Sequence, residues 1–166
     1  MVKPIERDCP PQFQVTETAS HGEEKMGLVY ADIELISGDD LVLHRRGFLT
    51  KDKIKSIKVN ALVDSGSYML VINEHIKEQL DLHVQEVQVA RLADDTEVRA
   101  EVVGPIEIRF ENRRANVDAI VFPGNVEPLL GAIPMEDLDV VIDLKQQRLI
   151  VNPESPYIAR KHVKSF

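Results

Sequence analysis

Ile57-Lys58-Val59-Asn60-Ala61-Leu62-Val63-Asp64-Ser65-Gly66-Ser67-Tyr68-Met69-Leu70-Val71-Ile72 is the stretch on which the reading of this chain turns. Ile57, Val59, Ala61 and Val63 fall on one face and Lys58, Asn60, Leu62 and Asp64 on the other, the period-two pattern of a half-buried strand. Asp64 closes that strand, pointing away from its apolar face. After Ser65-Gly66-Ser67 the run from Tyr68 to Ile72 is too apolar for a surface loop and reads as another buried strand. By itself Asp-Ser-Gly is a weak signal, because these are ordinary turn formers and average usage places an Asp-Ser/Thr-Gly triplet in roughly one chain in ten. A surface turn, however, is flanked by polar residues, and this one is not. A carboxylate between two buried strands must be stabilised, and a partner sharing its charge or proton is one route. Acid–base chemistry on a water needs that same arrangement.

Upstream, Val29, Ala31, Ile33 and Leu35 alternate with Tyr30, Asp32 and Glu34, so order begins near Met26 with a strand. A turn at Ser37-Gly38-Asp39-Asp40 leads to a second expected strand, Leu41-Val42-Leu43 through Arg45-Arg46 to Gly47-Phe48-Leu49, and Thr50-Lys51-Asp52-Lys53 reverses the chain. Downstream, Asn73 caps a short helix carrying Ile76 and Leu80 four apart, the first of two helices expected. Alternating segments flank Ala93-Asp94-Asp95-Thr96 as a hairpin. Ile106, Ile108 and Phe110 form another with Val117, Ala119 and Val121 around Glu111-Asn112-Arg113-Arg114. Leu129-Leu130-Gly131 follows, then a helix with Pro134 in its first turn ending at Leu138. Val140 to Leu144 and Arg148 to Val151 make a last hairpin. Nearly every element is a strand, which predicts a closed or sandwich-like all-β domain over 26–152. Residues 1–25, polar and proline-containing, read as a flexible extension, with Met26 a possible start, and 153–166 as a basic tail.

At 166 residues the chain can bury one ordinary core. Its 20 Lys and Arg against 28 Asp and Glu leave a net charge of −8, which argues against a nucleic-acid partner. Three Tyr, five Phe and no Trp argue equally against a base-stacking platform. Cys9 is the only cysteine and cannot close an intrachain disulfide, and five scattered His without Cys partners form no zinc pattern, so neither metal nor cofactor is expected. No window approaches the roughly 20 apolar residues of a membrane span, and Met1-Val2-Lys3-Pro4-Ile5-Glu6 has no basic region leading into an apolar run. The expectation is a soluble cytoplasmic protein without a membrane partner.

Taken in order, the pieces resemble the retropepsin-like aspartic proteases: Ala61-Leu62-Val63-Asp64-Ser65-Gly66, the strand Leu70-Val71-Ile72, the hairpin around Asp94-Asp95, and Leu129-Leu130-Gly131 before Pro134-Met135-Glu136-Asp137-Leu138. The resemblance covers about 125 residues. It implies a closed β-barrel-like monomer with a flap hairpin and one or two short helices, active as a two-fold dimer. Asp64 would be the catalytic aspartate, with the second supplied by another copy of the chain, since no other Asp-Ser/Thr-Gly is present. Two such carboxylates about 3 Å apart would share one proton, one activating a water and the other polarising the peptide carbonyl. Ser65 would brace the loop across the dimer, and Gly66 would permit close backbone approach. Leu129, Leu130 and Gly131 would support the catalytic loop from beneath, and Leu92, Ala93, Asp94, Asp95 and Thr96 would belong to the flap. Departures from the family pattern are Asp95, where a flap glycine is common, the acidic tip as a whole, Ser67 where Ala is frequent, and a longer segment 26–60.

The remaining candidates have plainer readings. Arg45-Arg46 and Arg113-Arg114 read as solvated hairpin charges. His44 and His75 have no triad partners. Asp143 reads as the cross-strand ion partner of Arg148, and Asp137 and Asp139 as helix-end and turn residues. Leu62, Leu92 and Ile133 are candidate subsite residues. Three functions stay open: a homodimeric aspartic endopeptidase acting on peptide or protein substrates, a protease-like dimer that binds an extended peptide without cleaving it, and an unrelated barrel whose Asp-Ser-Gly is only a turn.

Overall fold

The alternation that begins at Val29 is realised as β1 (Val29–Ser37), and the stretch before Asp64 as β2 (Ser56–Val63). A computed structural model describes residues 27–163; the expected extension over 1–25, with Cys9 and Met26, lies outside the described residues. The other strands are β3 (Leu70–Asn73), β4 (His83–Arg91), β5 (Glu97–Phe110), β6 (Arg113–Phe122), β7 (Leu129–Leu130), β8 (Val140–Asp143) and β9 (Arg148–Val151). Seven strands share one sheet in the order β1-β2-β7-β3-β6-β5-β4. Pairing of β1 with the second half of β5, from Glu34↔Arg109 to Ser37↔Ile106, joins the sheet to itself. Six strands thus form a closed ring, while β4, paired only with β5, stands outside it. Closure leaves the ring without a free edge. Inside it pack Ile33, Leu35, Leu70, Ile72, Ile106, Ile108 and Leu130. β8 and β9 form a separate two-stranded ribbon.

The expected strand over 41–49 is instead a helix, α1 (Gly38–Arg45). Its start is a cap rather than a free turn: the Ser37 hydroxyl accepts from the Asp40 amide at 3.2 Å. Asp39 and Asp40 occupy the first turn, and His44 and Arg45 the last, so both ends match the helix dipole. Asp40 is buried and its carboxylate takes the Lys55 amide at 2.9 Å and the Lys55 ammonium at 3.2 Å. That buried anchor outweighs the strand propensity of three consecutive apolar residues. α2 (Glu74–Leu80) forms as expected, with Asn73 Oδ1 accepting from the Ile76 amide at 2.9 Å. α3 (Ala132–Leu138) carries Pro134 in its first turn.

Two further expectations are corrected. Arg113 is not solvated: it is buried, donates to the Ser155 carbonyl and lies 3.6 Å from Asp139. Arg114 stays exposed and pairs at 3.2 Å with the buried Glu107, which also holds Arg109 at 2.6 Å. Asp139 caps α3 in the left-handed region at φ 56° and accepts from Asn152 Nδ2, Ser155 Oγ and the Arg160 amide. Those bonds, that of Ser155 foremost, hold its carboxyl down to about 2. The segment after Val151 is therefore fastened to the barrel. Asp143 does oppose Arg148 in register, but its carboxylate caps the Lys145 and Gln146 amides, and the two side chains form no ion pair among the described residues.

Candidate active site

β2 delivers Asp64 to a point held from both sides. Its neighbour β1 pairs along the whole strand, and β7 runs parallel on the other edge with Leu62↔Leu129 and Val63↔Leu130. The Leu62 amide donates to Pro128 O at 2.9 Å and the Asp64 amide to Leu130 O at 3.0 Å. The chain then turns tightly, Ser67 N donating to Asp64 O at 3.1 Å. Within that turn the carboxylate is bonded to its own loop: Gly66 N donates to Oδ1 at 2.9 Å and Ser67 Oγ to Oδ2 at 3.3 Å. Asp64 is half-buried, whereas Ser65 and Gly66 are exposed. Ser67, a departure in the sequence, is the hydroxyl that touches the aspartate.

Gly131 fixes the other wall. Ala132 N donates to Ser67 O at 2.7 Å and Ile133 N to Tyr68 O at 2.9 Å, which brings the two backbones together. A Cβ on Gly131 would meet the Met69 carbonyl oxygen, the Tyr68 carbonyl carbon at 2.7 Å and Ser67 O at 2.8 Å, so only glycine fits. Those same contacts explain why the strand expected from Tyr68 starts at Leu70: the Ser67 and Tyr68 carbonyls are spent on the 131–133 segment. Tyr68 is left 77% exposed and Ile133 54%. Two side-chain contacts not anticipated from the sequence pin the loop entering β7, one of them a second bond of the helix cap Asn73. Asn73 Nδ2 donates to Val126 O at 2.9 Å. Tyr30 hydrogen-bonds Glu127, and burial first, then that bond and the Glu127 charge, push its hydroxyl up to about 12. It therefore stays a donor near neutral pH.

Register shows what flanks Asp64. Tyr30, Leu62, Leu129, Val71, Ile120 and Val102 are successive cross-strand partners over β1, β2, β7, β3, β6 and β5. The row ends at Glu86 on β4. None of them belongs to the core cluster, so they face outward on the side of the sheet that Asp64 shares with Leu62. Val71 and Val102 on this row are buried by the chain itself, and Tyr30, Leu62, Leu129 and Ile120 are half-buried, so the apolar surface beside the carboxylate is the end at Leu62 and Leu129.

The flap candidates Leu92 to Thr96 sit at the tip of the β4–β5 hairpin. Leu92 N donates to Thr96 O at 2.8 Å and Asp95 N to Leu92 O at 3.0 Å. Asp95 takes the left-handed conformation at φ 67°, which Asp enters more readily than most residues, so the tip turns without a glycine. Asp94 accepts from the Thr96 hydroxyl and amide, which hold its carboxyl below the usual range. Among the described residues no three His, Cys, Asp or Glu side chains gather as a metal site, and no helix is long and apolar enough to cross a membrane.

A family model described as aspartyl protease matches residues 51–133, which span β2, the Asp64 loop, the hairpin, β7 and Gly131. The chain belongs to the aspartyl protease family. Its mostly-strand architecture with a few short helices is the fold class expected. No curated protein matches. Among solved structures, it is similar to the retroviral protease-like domain of Ddi1 from Leishmania major at 16% identity, over 75% of this chain and 90% of that one, with a TM-score of 0.47.

Proposed function

We propose that the protein is an aspartic endopeptidase, assembled as a homodimer in which Asp64 of each copy supplies one carboxylate. The observation that carries this reading is the placement of Asp64: half-buried at the end of a clamped strand, its carboxylate held by Gly66 N and Ser67 Oγ, beside the half-buried Leu62 and Leu129. The family membership supports a protease-like function, and the single Asp-Ser-Gly in the chain supports a pair completed by a second copy. Tyr68 and Ile133, both exposed and joined through the backbone next to the catalytic loop, are apolar surface for that copy to cover. In the pair, like charges about 3 Å apart are relieved by sharing a proton. The ionised carboxylate takes a proton from a water, which attacks the peptide carbon, while the protonated one donates to the carbonyl oxygen. Ser67 and Gly66 hold the Asp64 oxygens in place through this cycle, and the flap closes over the extended chain and excludes bulk water.

The test is peptide-library profiling by mass spectrometry with wild type and Asp64→Asn from about pH 4 to 7. Cuts made by wild type alone establish the activity. A dimer that cuts nothing but retains library peptides supports peptide binding without cleavage, and a monomer indifferent to Asp64→Asn supports an ordinary barrel.

A further inference from the structure

A second surface lies apart from Asp64, at the corner made by α1 and the segment that follows it. We propose that this corner docks an acidic polypeptide segment bearing apolar side chains, supplied by a partner protein. The chain carries a net charge of −8, yet from His44 to Lys58 its only acid is Asp52, among Arg45, Arg46, Lys51, Lys53, Lys55 and Lys58. Lys55 is committed to Asp40, and Lys58 faces Glu34 in register. Arg45, Arg46, Lys51 and Lys53 are exposed and form no ion pair among the described residues. Set among them, Phe48 is 76% exposed, Leu43 41% and Val42 37%. A solvated loop has no use for an exposed phenylalanine between four free cations, whereas an anionic, apolar-bearing ligand uses both.

The corner is also rigid. Ser37 caps α1, Asp40 ties it to Lys55, and Phe48 N donates to Leu43 O at 2.8 Å. Gly38 packs so closely on Pro105 that a Cβ would lie 2.8 Å from its Cγ. A preorganised surface loses little entropy on binding. Beside it lies a groove of about 470 Å³ whose apolar lining is Val42, Leu43 and Leu49 and whose polar lining includes Asp39, Asp40, Asp81, Lys55 and His83. The groove, with carboxylates of its own, takes only apolar side chains, and the ligand's acids go to Arg45, Arg46, Lys51 and Lys53, which are exposed outside its lining. His83 is the first residue of β4, so an occupant touches the base of the flap hairpin. α1 and Phe48 lie outside residues 51–133, the part that matches the family model, whereas Lys51, Lys53 and the groove residues Lys55, Asp81 and His83 lie within it. Nucleic acid is disfavoured by the acid on the rest of the surface, and α1, with eight residues, offers a membrane too small an apolar face.

The experiment uses the full chain carrying Asp64→Asn, so that no probe is consumed and the result is independent of the proteolysis reading. Fluorescence anisotropy follows a labelled synthetic peptide of Glu, Leu and Phe, with a Lys, Leu and Phe peptide as its counterpart, at low and high salt. The expected result is saturable, salt-sensitive binding of the acidic peptide alone. Arg45→Glu with Arg46→Glu, and separately Lys51→Glu with Lys53→Glu, should each weaken it by about tenfold, and Phe48→Ser by several-fold. Equal binding by the charge-reversed variants, absence of saturable binding, or binding of phosphatidylserine vesicles in place of the peptide overturns the proposal.

Discussion

Replacing Gly131 by Ala tests whether the catalytic loop depends on a backbone contact that no side chain can enter. The backbone at this residue is ordinary, φ −88° and ψ −176°, so alanine brings no conformational strain, and any cost is steric. The new Cβ meets the Tyr68 carbonyl carbon at 2.7 Å and Ser67 O at 2.8 Å, both backbone atoms with no rotamer to change. The Met69 carbonyl oxygen is closer still, so restoring van der Waals contact requires the two segments to part by about 0.7–1 Å. That stretches the 2.7 Å bond from Ala132 to Ser67 and the 2.9 Å bond from Ile133 to Tyr68 past useful length. Two weakened hydrogen bonds at about 0.5–1.5 kcal/mol each, with overpacking at about 1–3 kcal/mol, give about 2–6 kcal/mol. Urea denaturation reads this as a midpoint lowered by about 1–3 M at unchanged slope. Because the Ser67 backbone belongs to the turn that sets Asp64, its amide donating to Asp64 O at 3.1 Å, displacing it should lower peptide cleavage by about 100-fold in whatever fraction stays folded. An unchanged midpoint with unchanged kcat/KM refutes the steric argument and the supporting role given to Gly131 together.

Asp139→Asn keeps a residue that tolerates the left-handed cap but removes the charge facing Arg113; we expect a loss of about 1.5–3 kcal/mol at neutral pH by chemical denaturation. The wild-type carboxyl is held down to about 2, so its stabilisation is complete above its unfolded value near 4 and disappears as pH falls through about 2; the Asn variant should show a flatter Tm over that window, and a parallel decline in both proteins argues against the network. Asp95→Gly should leave the fold as stable or up to about 1 kcal/mol more stable, since φ 67° suits glycine, and a lower Tm shows that the Asp side chain itself holds the tip. Ser67→Ala removes only a 3.3 Å bond to Asp64, so stability should drop by under about 1 kcal/mol with cleavage retained; loss of cleavage in a stable dimer assigns Ser67 a larger part in orienting the carboxylate.

The strand before Asp64 is legible because Ile57, Val59, Ala61 and Val63 alternate without interruption, and an alternating face has one way to lie on a core. Asn73 and Pro134 are equally plain, since each marks a helix start by a local rule. α1 is not, because Leu41-Val42-Leu43 has no period of its own, and Ser37 with Asp40 three residues on spells a cap and a turn alike. What decides between them is Lys55, far along the chain and tied to the Asp40 carboxylate. Arg113 fails for the same reason on a larger scale: it sits in a hairpin-turn sequence, and only Asp139 and Ser155, brought to it by the fold, show that it is buried. The Asp64 loop is readable from its own residues, but its support by Gly131, Tyr30 and Asn73 is a matter of tertiary approach.

The same distinction explains why the apolar row beside Asp64 has no counterpart in any single segment. Each member is the off-face residue of its own strand: Leu62 between Ala61 and Val63, Leu129 before Leu130, Val71 between Leu70 and Ile72. Read singly, each is an apolar residue on the polar side, a small imperfection in the alternation. Register lines them up, and the imperfections become one stripe from Tyr30 to Val102. Val71 and Val102 are buried although they lie outside the core cluster, so this side of the closed sheet is not simply surface. Burial of Val71 and Val102 stabilises the barrel from its outer side, so what the stripe leaves for anything else is its half-buried end at Leu62 and Leu129, next to Asp64. That end, and not the whole stripe, is the apolar surface that an extended peptide brought up to Asp64 would meet, as the proposed cleavage requires.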